Sequence, residues 1–151
     1  MRRKYLVLIA VGGVLFVFVS AVLARVWSAD GAETSAVTAL VQAEARGDVN
    51  GVIARIQGCR SSAACRTKVA AEAAPLRRAG RVSILQMSPS TGFTLGGGVG
   101  TNRVAWKSPS SLPIVQCVRV HRAGDALSGL RIELQSLSPR IKSDADCPAH
   151  F

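Results

Sequence analysis

The chain has 151 residues, of which 19 are Lys or Arg and 9 are Asp or Glu, and only 5% are aromatic. Once an apolar N-terminal stretch is set aside, that length leaves room for one small domain and no more. So few aromatic residues argue against a nucleic-acid stacking surface, which needs exposed rings among its cations.

Residues 5–24 read YLVLIAVGGVLFVFVSAVLA, an uncharged run of twenty. At about 1.5 Å per residue, a helix of that length matches a hydrocarbon core of roughly 30 Å. Arg2, Arg3 and Lys4 precede it, and the positive-inside rule keeps that end in the cytoplasm. Residues 1–27 are therefore expected to form a basic start and a single-pass anchor in the cell membrane, with the lipid bilayer as partner and the rest of the chain extracytoplasmic. The alternative is a signal peptide cleaved after Val22-Leu23-Ala24. The run is longer than a signal-peptide core, and Trp27 suits the interface, so the uncleaved anchor is favoured. Gly12-Gly13 does not make a GxxxG motif.

Arg2, Arg3, Lys4 and Arg25 belong to that first part, which has no acid. The remaining 124 residues carry 15 basic and 9 acidic side chains, or +6. The basic residues are scattered, with no run above two, which reads first as a solubilising surface. They leave open a partner such as phospholipid head groups or acidic envelope polymers. The four cysteines, Cys59, Cys65, Cys117 and Cys147, read as two disulfides in an oxidising compartment. The five residues between Cys59 and Cys65 suit a short loop between helices, which predicts that pair and leaves Cys117 with Cys147.

In chain order, 28–32 reads as a polar linker. Residues 33–45 have helical spacing, with Val37, Leu40 and Val41 on one face and Glu33, Thr34 or Ser35 as cap. Gly47 suits the left-handed position after that helix, and Asp48 caps the next, 49–56. Ser61 or Ser62 caps a third helix, ending near Ala74 because Pro75 follows. After Gly80 the period changes. Residues 81–88 read as a strand, 89–92 as a turn, 93–95 as a short strand, 96–100 as a flexible glycine loop and 103–107 as a strand. Residues 108–113 are a Ser/Pro linker.

The clearest strands are 114–121 and 126–138, joined by a turn at 122–125. Ile114, Val118 and Val120 share one face, and Leu130, Ile132 and Leu134 share another. These faces match only if paired residue numbers add to an even value, which requires an odd loop. Cys117 lies on the opposite face, so its disulfide would fold the tail, 139–151, back across the sheet. Helices followed by strands predict an α+β fold, with two or three helices on a curved antiparallel sheet of about four strands.

The segment 39–56, ALVQAEARGDVNGVIARI, resembles the opening of nuclear transport factor 2-like domains, in which a long helix, a Gly-Asp break and a short helix precede a conical sheet. The resemblance covers 33–138, with Gly47-Asp48 at the break and the long hairpin last. The whole chain also resembles short membrane-tethered proteins of high-GC Gram-positive bacteria. Enzymes of the superfamily, of isomerase or dehydratase type, place carboxylates, Tyr or His inside the cone.

Here the one tyrosine, Tyr5, lies in the apolar run. Asp125 sits at a turn, Glu133 is on the polar strand face, and His121 is expected as an exposed hairpin-end residue. His121 and His150 are too far apart for a zinc signature, the cysteines lack CxxC spacing, and no metal is implied. The glycine run lacks the GK[ST] of a phosphate loop, and no GxSxG occurs. Trp106 reads as a core residue. No catalytic residue and no cofactor site emerges. The expected role is a non-catalytic domain that binds a protein partner or a small apolar ligand. The alternatives are a small enzyme with a pocket in the cone, or an electrostatic binder of anionic polymers.

Overall fold

The computed structural model describes residues 2–89, 96–109, 111–125, 129–142, 145–149 and 151. It has an α+β fold, with helices α1 (Arg2–Ala45), α2 (Val49–Arg55) and α3 (Ala63–Leu76) and a 3-10 turn at Cys59–Ser61. Strands β1 (Ser83–Ser88), β2 (Gly96–Lys107), β3 (Ile114–Asp125) and β4 (Gly129–Leu137) form one open antiparallel sheet in the order β1-β2-β3-β4.

Residues 28–32 do not form the expected linker. These residues are helical, so the apolar run passes without a break into the helix of the domain. Composition misled here, because Ser28-Ala29-Asp30-Gly31-Ala32 is polar and small. Yet Ala29 is buried, and the Asp30 carboxylate is bonded to a strand residue far along the chain. Glu33 is accordingly no cap; it sits mid-helix. Helix α1 is long and apolar enough to cross a membrane, and its most apolar window is fully unburied.

The helix ends follow local chemistry. Gly47 takes φ 71°, the left-handed region that needs no Cβ. Asp48 then caps α2, its Oδ1 accepting from Gly51 N at 2.8 Å. Ser62 caps α3, accepting from Cys65 N at 3.2 Å. Helix α3 runs two residues past Ala74, with Pro75 in its last turn and Leu76 buried in the core.

Two strand boundaries also differ. The glycines expected as a loop open β2 as far as Gly100. A Cβ on Gly97 would stand 2.5 Å from the Arg122 carbonyl oxygen, so the glycine there lets β2 approach β3 at a bulge. Residues 122–125, expected as a turn, extend β3. Residues 126–128 lie outside the described residues, as do the short strand expected at 93–95 and most of the turn before it. Pairing from Val120↔Leu134 to Asp125↔Gly129 keeps an even sum, as the facing apolar sets require. A bulge then shifts it, so Leu137 stands opposite Val118.

The core lies between the helices and one sheet face. Val37, Leu40, Val41, Val52 and Leu76 pack against Val104, Trp106, Ile114, Val118, Val120 and Leu134. Trp106 is fully buried, as its sequence context implied.

Candidate functional site

The helix-facing side of β3 reads Ile114, Gln116, Val118, Val120, Arg122, all buried. Two polar side chains on an apolar stripe need partners, because an unpaired buried polar group costs about 1–3 kcal/mol and a charge more. Both partners come from α1.

Arg122, 1% exposed, reaches Glu33, itself 1% exposed. Its Nε and Nη2 donate to Glu33 Oε2 at 2.9 and 2.6 Å, and Nη2 also donates to Asp30 Oδ1 at 2.7 Å. Asn102 Nδ2 on β2 donates to the other Glu33 oxygen at 3.0 Å. Burial works to lower the guanidinium pKa, and the hydrogen bonds that Arg122 donates to the Glu33 and Asp30 carboxylates, with their charges, more than offset it, so the net shift is upward. One helix and two strands are thereby fastened by a single charge cluster.

The second network lies farther along α1. Trp106 Nε1 donates to Gln116 Oε1 at 2.7 Å. Gln116 Nε2 donates to Glu44 Oε1 at 3.0 Å and to the Ser138 carbonyl at 3.2 Å. Glu44 Oε2 is buried with no hydrogen-bond partner. Burial pushes the Glu44 carboxyl up to about 7; Gln116 works against this, and Glu72 on α3 adds to it. A carboxyl poised near neutrality is chemically suited to proton transfer. Here it is sealed: Glu44 has no exposed surface, and core side chains fill the space around it.

On the opposite sheet face the tail is pinned. Cys117 is bonded to Cys147 and Cys59 to Cys65, with Cα–Cα distances of 5.7 and 5.2 Å. Ser138 Oγ accepts from Cys117 N at 2.8 Å, and Val115 bridges Ile141. Arg119 donates to the Ala149 carbonyl and stacks over Phe151 at 5.5 Å from the ring centre. His121, expected as an exposed hairpin-end residue, lies instead within β3. It is half-buried, with Nδ1 2.9 Å from Glu133 Oε2. That hydrogen bond holds the Glu133 carboxyl below its ordinary value.

The clefts are shallow surface features. One, of about 360 Å³, lies between the end of α2 and β4, lined by Arg55, Ile56, Gln57, Ile132, Glu133 and Leu134. At the end of α1 far from the apolar run, Arg46 and Arg81 share one cleft, and Arg78 and Arg140 share another. No three His, Cys, Asp or Glu residues among the described ones are placed to hold a metal.

No family model, no curated protein and no solved structure matches the chain.

The four cysteines were legible as two bonds. Glu33, Glu44, Gln116 and Arg122 were missed, although a signal was present. Glu33 and Glu44 continue the i, i+4, i+7 spacing of Val26, Ala29, Val37 and Leu40, and Gln116 and Arg122 continue the alternation of Ile114, Val118 and Val120.

Proposed function

We propose that this is a membrane-tethered, extracytoplasmic, non-catalytic domain that binds a protein partner through its outer surface. The observation that carries this reading is the filled space between α1 and the sheet. Trp106, Leu40, Ile114 and Val118 are fully buried where a conical domain would hold its ligand. The tether reading rests on the exposed apolar run of α1 and on Arg2, Arg3 and Lys4 before it. Two disulfides support an oxidising compartment for the domain. The Gly47-Asp48 break between α1 and α2, followed by a sheet, supports the nuclear transport factor 2-like resemblance.

One outer feature suits a partner. Strand β1 is a sheet edge with Leu85 49% exposed, and an edge offers unpaired backbone groups. The other edge already takes an extended segment, since Gln57 N donates to the Leu134 carbonyl at 2.7 Å beside the Ile56↔Leu134 bridge.

A second reading, an electrostatic binder of anionic envelope polymers, is favoured by Arg46, Arg81, Arg78 and Arg140 gathered at one end. The two separate by experiment. A photo-crosslinking residue at Leu85 or Gln57 in living cells should yield a discrete protein adduct. Adducts absent from both positions, with salt-sensitive polymer binding lost in Arg46→Ala/Arg81→Ala, would favour the polymer reading.

A further inference from the structure

We infer that the end of the sheet formed by Gly96, Asp125 and Gly129 is seated in the lipid headgroup layer, giving the domain a second contact with the bilayer beside its anchor. The inference rests on the anchor reading above.

The first observation is where the domain begins to cover α1. The buried stripe of that helix is not confined to residues after the apolar run. Val22, inside the run, is half-buried, Val26 is 1% exposed, and Ala29 follows one turn on. Protein therefore covers the helix down to the last apolar turn. Trp27, on the uncovered side at the same height, is 70% exposed, as an interfacial ring should be.

The second observation is direction. Arg122 meets Glu33, and Gln116 meets Glu44, so β3 runs antiparallel to α1 and its C-terminal end points toward the apolar run. From Arg122 to Asp125 a strand advances about 10 Å. A helix covers the same distance in about seven residues, which brings the strand ends from the level of Glu33 to that of Val26. Gly96 pairs with Asp125, and Asp125 with Gly129, so three strand ends share this height.

The third is the depth of the lipid. Residues 5–24 fill the hydrocarbon thickness, and the polar layer beyond it is roughly 5–8 Å deep on each side, which spans about four or five helical residues past Ala24. The level of Val26 falls within it. Strand ends do not go deeper, because open sheet ends are excluded from hydrocarbon. The polar, hydrated headgroup layer can accept such an end, with the Asp125 carboxylate on it.

The test places an environment-sensitive fluorophore on an added cysteine in the full chain, with both disulfides intact. The chain is reconstituted in vesicles of phosphatidylcholine and phosphatidylglycerol. Asp125→Cys probes the strand end, Lys107→Cys the opposite end of the sheet, and Phe18→Cys the span. Leu130→Cys repeats the strand-end measurement at a second position. Reconstitution in vesicles should blue-shift the probes at 125 and 130, spin labels on the lipid headgroup should quench them, and the probe at 107 should show neither effect. Acyl-chain labels should quench the probe at 18. Probes at 125 and 130 that behave like that at 107, with the one at 18 quenched, would overturn this contact and leave the anchor standing. An unquenched probe at 18 would overturn both.

Discussion

Arg122 on β3 and Glu33 on α1 form an ion pair at 2.6 Å with almost no exposed surface on either side chain. Removing one member leaves the other buried and uncompensated, which costs about 3–5 kcal/mol. Arg122→Met should therefore lower stability by that order in urea unfolding of the full chain in detergent. Asp30→Asn should cost under about 1 kcal/mol, since the Asp30 side chain is half exposed. Pairing Arg122→Met with Glu33→Gln should recover part of the loss. If Arg122→Met proves as mild as Asp30→Asn, the pair does not fasten helix to sheet.

Glu44 predicts a pH dependence of unusual sign. Its folded-state carboxyl is raised from 4.5 to about 7, chiefly by burial. Between those values the folded chain holds a proton that the unfolded chain has released. Stability contributed by this group is thus full at low pH and falls as pH rises toward 7, by at most about 3 kcal/mol. Glu44→Gln should flatten this slope and be more stable than the parent at pH 8. Parallel pH profiles for the two proteins would refute the assignment. The groups facing Glu44 are Gln116 on β3 and Glu72 on α3, the latter 4.0 Å from Lys68.

Cys147→Ser should free the tail. The bond spans a separation of 30 residues, for which loop-closure entropy gives about 3–4 kcal/mol; the separation of six at Cys59–Cys65 gives about 2 kcal/mol. The variant should melt lower than Cys65→Ser, and a protease should cut it within 139–151. An unchanged melting temperature with an intact tail would mean that the bond does not hold it.

Topology is checked with reporters fused after Phe151. One that is active only outside the cytoplasm should work and one active only inside should stay silent, because the positive-inside rule expects Arg2, Arg3 and Lys4 to keep the N-terminus in the cytoplasm. The reverse pattern would place the domain on the cytoplasmic side.

Much of this fold was legible because the signals were local. Gly47, Asp48 and Ser62 act within one turn of themselves, and the alternation along β3 and β4 set the parity of their hairpin. What stayed hidden depended on partners distant in sequence. Asp30 in a polar pentapeptide looks like linker until Arg122, 92 positions later, accounts for it. Gly97 looks like part of a loose loop until the Arg122 carbonyl closes on it. Glu44 looks like a surface acid among alanines until Gln116 and Trp106 complete its network.

The unbroken course of α1 has a mechanical consequence. With residues 5–24 in the bilayer, as proposed, the helix from Ala24 to Ala45 extends about 32 Å beyond its core. A helix that meets a thinner membrane accommodates it by tilting. With no hinge at 28–32, a change of tilt of about 10° swings the far end, where Arg46 stands, sideways by about 5–6 Å. On the proposed anchor, membrane thickness is thereby geared to the position of Arg46 and its neighbouring arginines.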